Sequence, residues 1–154
     1  MIKKIPILII AVILASLSIA LVLVGLFGQH SFRLNDEYYN NSEQIDITSE
    51  EYNELIDDKK SFILFIDQTN CITANGLRDM FNRFTTEHPI QILRIMWPET
   101  AETNLRDSVH YFPSVVLINN GKIVDALQAD SDEYTKYYNS YDDFSGWLTK
   151  NIVF

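Results

Sequence analysis

The residue best suited to chemistry in this chain is its single cysteine, Cys71. A thiolate can attack a disulfide, and the N-terminal end of a helix favours the charged form of the sulfur. Helical spacing begins soon after Cys71, but no lysine, arginine or histidine lies within five residues of it. A lone cysteine cannot form an internal disulfide. Two interpretations stay open: a thiol that reacts with a partner, or a small apolar side chain packed in the protein.

Other candidates for chemistry are weaker. The three histidines, His30, His88 and His110, are scattered, and no Cys/His spacing is typical of a zinc site. The acidic run at residues 130–133 lacks the glycine and the spacing of a calcium loop, which favours a solvated loop. We therefore predict neither a metal nor a cofactor.

Charge divides the chain into two parts. The chain has 154 residues, and the only charged side chains among the first 28 are Lys3 and Lys4. Residues 29–154 carry ten basic and 21 acidic side chains, a net charge of about −11. This charge repels phosphate backbones, so we expect no nucleic-acid partner. A segment of this length is sufficient for one hydrophobic core.

Residues 5–27 contain no charged side chain and are mostly apolar. As a helix they would span about 34 Å, enough to cross a hydrocarbon core of about 30 Å. Because Lys3 and Lys4 precede this run, the N-terminus should stay in the cytoplasm and residues 29–154 should lie outside it. We predict a transmembrane signal anchor over residues 1–28, in a single-pass protein of the cell membrane. A cleavable signal peptide is the alternative, but Leu26 is unsuited to the −3 position of the best cleavage site.

Residues 29–43 are rich in asparagine and acidic side chains. We interpret them as a polar stalk that leads to a folded domain over residues 44–154. A glycosylation sequon at residues 40–42 is weak evidence in such an asparagine-rich stretch.

Within the folded domain, apolar patterns predict strands and a hairpin. Four runs predict strands: residues 45–47, 61–67, 90–96 and 114–118. After the last run, Asn120 and Gly121 favour the left-handed backbone of a tight hairpin, and residues 122–127 return as another strand.

Helical spacing appears between these strands. Thr48 and Glu51 form a capping box ahead of the first helix, and a helix after Cys71 should end before His88. The apolar face of this second helix consists of Leu77, Met80, Phe81 and Phe84. A short helix is expected over residues 100–108. A C-terminal helix should start near Ser140 or Tyr141, with an apolar face of Phe144, Trp147, Leu148 and Ile152.

The predicted order is β-α-β-α-β-α-β-β-α. Strands separated by helices should pair in parallel, and the final hairpin should add an antiparallel edge. The expected architecture is a three-layer α/β sandwich. Residues 128–141 are polar and rich in tyrosine, and we interpret them as a loop. Its tyrosines would either contact a partner or pack over the last helix.

Two stretches together resemble the thioredoxin family. In residues 62–75 a strand runs into Cys71 at the start of a helix. In residues 111–122 Pro113 precedes a strand that ends in an Asn-Gly hairpin. The resemblance implies a thioredoxin-like sandwich with a mixed central sheet. It also implies a cis bond between Phe112 and Pro113, facing Cys71, where the backbone of Phe112 can pair with an extended peptide.

The sequence departs from this family at the residues of the redox motif. A redox member has a second cysteine where this chain has Ala74. The usual tryptophan before the motif and basic residue after it are replaced by Asn70 and Asn75, and the usual buried aspartate by Phe65. Without a second thiol, a mixed disulfide at Cys71 has no internal route of release. Turnover like that of a dithiol reductase is therefore not expected.

These features leave two functions open. One is a membrane-anchored extracytoplasmic domain that binds or assists an exported protein or peptide. The other is a single-cysteine thiol-disulfide oxidoreductase, with Cys71 as the candidate nucleophile and a Cys71-linked dimer as a further possibility. The candidate peptide-binding residues are Asn70, Ile72, Thr73, Phe112 and Pro113. Similar bacterial domains accompany bacteriocin export, an association implied by the resemblance alone.

Overall fold

The computed structural model describes residues 31–129 and 132–154. The strands in these residues are β1 Phe32–Arg33, β2 Gln44–Asp46, β3 Phe62–Asp67, β4 Ile92–Met96, β5 Ser114–Asn119, β6 Lys122–Gln128 and β7 Ile152–Val153. The α-helices are α1 Ser49–Asp57, α2 Ile72–Glu87, α3 Asp132–Asn139 and α4 Tyr141–Asn151. Short 3-10 helices cover Asp36–Tyr38, Trp97–Glu102 and Asn104–Asp107.

Five strands form the central sheet, in the order β2-β4-β3-β5-β6. Strands β2 and β3 both run parallel to β4, whereas β5 is antiparallel to β3 and β6 is antiparallel to β5. All residues of the middle strand, β3, are buried, as its uninterrupted apolar run predicts. The mixed sheet expected from the sequence is therefore confirmed.

Because alternate side chains of a strand point to opposite faces, β3 contributes to a core on each side of the sheet. On one side Phe62 packs against Tyr52 of α1, with ring centroids 6.3 Å apart. On the other side Phe65 lies 5.2 Å from Phe81 of α2, and Phe81 lies 5.1 Å from Phe144 of α4. These contacts place α1 on one face of the sheet and α2 and α4 on the other, which gives the three predicted layers.

The hairpin between β5 and β6 also follows the prediction. Asn120 and Gly121 both have positive φ, 54° and 72°. The N–H of Gly121 donates to the carbonyl of Lys60 at 2.9 Å, and a Cβ at position 121 would collide with the carbonyl oxygen of Ile56. Glycine is therefore required here both by its backbone angles and by the close approach of the end of α1.

The direction of β5 differs from the prediction. In the structure β4 ends with Met96 paired to Asp67, and β5 begins with Ser114 paired to Ile66. The chain between them stays at one edge of the sheet in two short 3-10 helices, so β5 has to run antiparallel to β3. The short helix predicted over residues 100–108 is present as 3-10 helices. The parallel crossover predicted through it was wrong, because the segment does not return across the sheet before β5 begins.

The described part of the predicted stalk belongs to the folded domain, so the expected boundary at residue 44 is corrected. Leu34 and Tyr38 are only 2% and 5% exposed, and the side chain of Asn35 accepts a hydrogen bond from the N–H of Ser61 at 2.7 Å. In addition, β1 pairs in parallel with β7 at the end of the chain. Leu34 and Tyr38 were not recognised as core residues from the sequence because polar residues surround them. The folded unit begins at Ser31.

In the part of the chain that the structure describes, no helix has the length and apolar character needed to cross a bilayer. The transmembrane span predicted over residues 5–27 lies outside the described residues, so it stays a prediction.

The segment interpreted as a tyrosine-rich loop contains helix α3. Four of its tyrosines are partly buried and pack against the core: Tyr134, Tyr137, Tyr138 and Tyr141. These contacts favour packing within the domain over contact with a partner. The helix escaped prediction because it contains no fully buried residue and thus no clear apolar stripe.

We expect the domain to lose stability as the pH rises from about 10 to about 12. Burial, together with the charge of Glu37, raises the pKa of Tyr38 to about 12, whereas tyrosine in an unfolded chain ionises near pH 10. Below about pH 10 both states keep the proton; above it only the unfolded state ionises freely, which favours unfolding. Urea denaturation at about pH 9 and about pH 11 measures this loss.

Tyr38→Phe should reduce the alkaline loss without abolishing it, because burial also raises the pKa values of Tyr52 and Tyr141. Equal unfolding free energies at the two pH values in the unmodified chain would contradict the prediction.

Candidate functional site

The residues predicted to form a site meet at one edge of the central sheet. Strand β3 ends at this edge with Asp67, and β5 begins there with Ser114, which pairs with Ile66. Cys71 follows β3 by four residues, and Pro113 directly precedes β5. The topology therefore brings the cysteine and the proline to the same edge, where loops at strand ends commonly form binding sites.

The peptide bond between Phe112 and Pro113 is cis, as the resemblance implied. The Tyr138 hydroxyl lies 3.0 Å from the carbonyl oxygen of buried Pro113 and 2.9 Å from that of Leu127. Helix α3 thus ties the proline turn to the end of β6. Sequence analysis did not assign Tyr138 to the site, although the tyrosine-rich composition of residues 134–141 was a signal.

Phe112 is half-buried and packs against Trp97, with ring centroids 5.0 Å apart. The guanidinium of Arg106 lies 4.4 Å from the centroid of the Trp97 ring. This cation–π contact adds Arg106 to the tilted aromatic pair of Trp97 and Phe112 beside the proline turn. Sequence analysis missed Trp97 and Arg106. The signal for Trp97 was its position directly after a buried strand, at the same edge as Asp67.

Cys71 is the N-cap of the 16-residue helix α2 and is partly exposed. Its side chain makes no capping hydrogen bond, while its carbonyl accepts from the N–H of Asn75 at 3.1 Å. The first turn of α2 contains no acidic residue. As the N-cap residue, Cys71 therefore stands at the positive end of the α2 helix dipole.

The neighbours of Cys71 differ sharply in exposure. Ala74 is completely buried, so the second position of the motif contributes a methyl group to the core. In contrast, Ile72 is 89% exposed and Tyr111, before the proline turn, is 51% exposed. Asn70 is exposed and takes a left-handed backbone with φ of 58°.

We use the name Cys71 edge for the partly apolar surface at this end of the sheet. It is formed by Cys71, Ile72, Trp97, Tyr111 and Phe112. Beside it, exposed Thr73 lines a cleft of about 170 Å³ together with Tyr138 and other residues of the α3 region. Exposed apolar side chains that together form a continuous patch on a folded domain often mark a contact surface.

A buried ion pair lies at the base of the loop before Cys71. Asp67 is 1% exposed and accepts hydrogen bonds from Arg78 through Nε at 2.8 Å and Nη2 at 2.7 Å. The Asp67 carboxylate also accepts from the N–H of Gln68 at 2.7 Å. Arg78 reaches the Asn75 side chain and the Gln68 carbonyl as well. Arg78 therefore joins the end of β3, the loop before Cys71 and the first turns of α2.

A second arginine extends this network across the sheet. Nη1 of Arg94, on β4, lies 3.6 Å from Asp67, and Nη2 donates to Asp46 of β2 at 2.8 Å. The hydrogen bonds from Arg94 hold the pKa of the Asp46 carboxyl below its usual range. Charges thus alternate from β2 to α2, which stabilises the buried carboxylate of Asp67. Among the described residues, no group of His, Cys, Asp or Glu side chains is arranged to hold a metal ion.

Comparison with known proteins gives a likeness in structure only. No family model matches the chain, and no curated protein matches it. Among solved structures, thioredoxin NaTrxh from Nicotiana alata superposes with a TM-score of 0.57 at 14% identity, covering 73% of this chain and 96% of that chain. A thioredoxin from Schistosoma mansoni gives 0.53 at 16% identity, covering 71% and 99%. A mutant thioredoxin from Halobacterium salinarum gives 0.55 at 13% identity, covering 75% and 96%. Likeness at such low identity establishes a fold and not an activity.

Proposed function

Because the described domain has the thioredoxin fold, we propose that it binds an extended apolar segment of an exported protein or peptide at the Cys71 edge, without dithiol redox chemistry. The observation that carries this proposal is the exposure of Ile72, directly after Cys71, and of Tyr111, just before the cis bond at Pro113, with buried Ala74 in place of a second thiol. Binding at this surface needs no thiol turnover.

The backbone of Phe112 supplies the polar part of the proposed contact. Its N–H and C=O have no hydrogen-bond partner among the described residues, and the ladder between β3 and β5 begins only at Ser114. An extended segment that pairs with Phe112 would satisfy these groups in the manner of strand addition. Its apolar side chains would then cover Ile72 and Tyr111, which provides the favourable burial.

The proposed location follows from the N-terminal segment. A single anchor over residues 5–27 would hold the domain outside the cytoplasm, close to the membrane that an exported partner crosses. The strongly acidic character of residues 29–154 suits a polypeptide partner and not a nucleic acid. A bacteriocin-export-like system is one source of such a partner.

Trp97 provides the test because it packs against Phe112. The chain has two tryptophans, and Trp147 is 7% exposed with its indole donating to Asp125 at 3.0 Å. In Trp147→Phe, Trp97 is the only fluorescent indole. A short peptide of alternating leucine and serine should change its emission in a saturable way, and a peptide of serine alone should not. No response to either peptide, or an equal response to both, would contradict the proposal.

The second candidate function is thiol-disulfide exchange through the single cysteine, favoured by the position of partly exposed Cys71 at the start of α2. Its thiolate would attack a partner disulfide, forming a new S–S bond and releasing the partner's other sulfur as a thiolate. An external thiol would then have to attack the mixed disulfide to release the partner. Alkylation of Cys71 at neutral pH no faster than that of a peptide cysteine would count against this function. Non-reducing electrophoresis would reveal a Cys71-linked dimer.

A further inference from the structure

A groove separates the edge strand β2 from helix α1. It has a volume of about 300 Å³. Its floor is apolar and includes Ile45, Ile47, Leu55 and Leu93. Its rim carries three carboxylates, those of Glu51, Glu54 and Asp58. We call this feature the β2 groove.

The β2 groove lies on the face of the sheet opposite to α2. The side chain of Gln44 donates to Asn82 of α2 at 2.7 Å, so Gln44 points toward α2. Because side chains alternate along a strand, Ile45 points to the other face, where it is 37% exposed. The groove therefore shares no residue with the Cys71 edge.

The hydrogen-bonding edge of β2 beside this groove is open. The N–H of Ile47 donates to the carbonyl of Arg94 at 2.8 Å, and the carbonyl of Glu43 accepts from the N–H of Ile92 at 3.0 Å. These backbone groups, directly after and before β2, therefore point toward β4. By alternation, the backbone groups of Gln44 and Asp46 point outward. No described strand pairs with this side of β2, which ends the sheet. An open edge of this kind can accept an added strand.

Some of the charged side chains at or near the rim already have hydrogen-bond partners among the described residues, and others do not. Glu51 accepts from the N–H of Thr48 at 2.8 Å in the capping box of α1. Two lysines follow α1: Lys59 is exposed, and Lys60 donates to Glu37 at 2.8 Å and is also attracted by Asp58. Glu54 and Asp58 are exposed and one helical turn apart, so they present two negative charges along the groove.

We propose that the β2 groove binds an extended segment of a partner polypeptide in which every second residue is either apolar or a lysine or arginine, so that both kinds of side chain point to the groove. The segment would pair with the outer edge of β2, place its apolar side chains on the floor, and direct its basic side chains toward Glu54 and Asp58. The nine residues of α1 span about 13 Å, the length of about four extended residues. The apolar floor and the acidic rim thus match such a strand in length, pattern and charge.

A second copy of this chain fits the groove less well. Antiparallel pairing of two β2 edges would bring two acidic rims together, and like charges in that arrangement repel. The inference goes beyond the proposed function, because it concerns other residues on the other face of the sheet and stands whether or not the Cys71 edge binds a peptide.

The test uses the full chain, kept in solution with a non-ionic detergent, and a short peptide in which valine and lysine take turns at every second position, with serine at the positions between them. We expect changes in amide chemical shifts confined to β2 and α1, and weaker binding as the ionic strength rises. The same peptide with glutamate in place of lysine should not bind. Glu54→Gln combined with Asp58→Asn should weaken binding by about threefold to tenfold.

The matched control removes two exposed carboxylates elsewhere, with Asp79→Asn and Glu133→Gln, and should leave the affinity unchanged. Three results would overturn the proposal: equal binding of the two peptides, equal effects of the two double variants, or shifts at the Cys71 edge in place of β2. Concentration-dependent shifts of β2 without peptide would identify the groove as a contact between copies and would also overturn it. Ile72→Asp should not alter binding at the groove, which separates this outcome from failure of the proposed function.

Discussion

Arg78→Met should lower the free energy of unfolding by about 3 kcal/mol, because it leaves the buried carboxylate of Asp67 without its main partner. Arg78 donates two hydrogen bonds to Asp67, which is 1% exposed. This value is at the lower end of the loss of stability, about 3–5 kcal/mol, that follows removal of one partner of a buried ion pair. Arg78 is itself 27% exposed, and Arg94 remains 3.6 Å from Asp67. Urea denaturation at neutral pH measures the change.

Arg83→Met is the matched control, since Arg83 lies on the same helix but pairs with Glu87 at the surface. This control should change the stability little. Replacing both partners, with Asp67→Leu and Arg78→Met together, should recover part of the loss, because no buried charge is then left unpaired. If Arg78→Met and Arg83→Met have equal effects, the ion pair does not stabilise the loop before Cys71 as described.

Ile72→Asp should weaken binding of the leucine-serine peptide at the Cys71 edge by at least about tenfold. Burial of an isoleucine side chain contributes about 1.5–3 kcal/mol, and each 1.4 kcal/mol corresponds to a tenfold change in affinity. Ile72 is 89% exposed in the free domain, so nearly all of its surface is available to a partner. Titration of Trp97 fluorescence in Trp147→Phe measures the affinity.

The control for this prediction is Val124→Asp on β6, another exposed apolar residue that lies outside the Cys71 edge. Both substitutions add one negative charge at the surface, so a general electrostatic effect would appear in both. Only Ile72→Asp should lose affinity, and neither should greatly change the thermal midpoint. An unchanged affinity in Ile72→Asp would exclude this residue from the contact surface.

Features determined by neighbouring residues were predictable from the sequence. The uninterrupted apolar run of β3 implied a strand covered on both faces, and residues 120 and 121 implied the hairpin. The capping box at Thr48 and the end of α2 before His88 were also confirmed. The cis bond before Pro113 came from the resemblance to a family and not from local propensity.

Features that depend on distant pairing were not predictable. The direction of β5 depends on where the segment after β4 lies, which the short apolar spacing of residues 100–108 does not reveal. Leu34 and Tyr38 are isolated apolar residues in a polar stretch, and only their burial against the domain identifies them as core.

The contacts within the candidate site were likewise not predictable from the sequence. Asp67 looks like the polar end of a strand, and its partner Arg78 follows eleven residues later on a helix. The family places a buried aspartate at the position of Phe65, which here packs against Phe81. Tyr138 reaches the proline turn from a helix that the polar sequence concealed. Each of these contacts joins elements whose relative placement becomes clear only in three dimensions.

The most direct test of the account compares the unmodified thiol with Cys71→Ser in the Trp147→Phe background, under reducing conditions. The affinity for the leucine-serine peptide is measured by Trp97 fluorescence in both proteins. The account predicts equal affinities within about twofold, because the contact rests on apolar burial and backbone pairing. Loss of binding in Cys71→Ser would contradict it and would assign the recognition of partners to the sulfur.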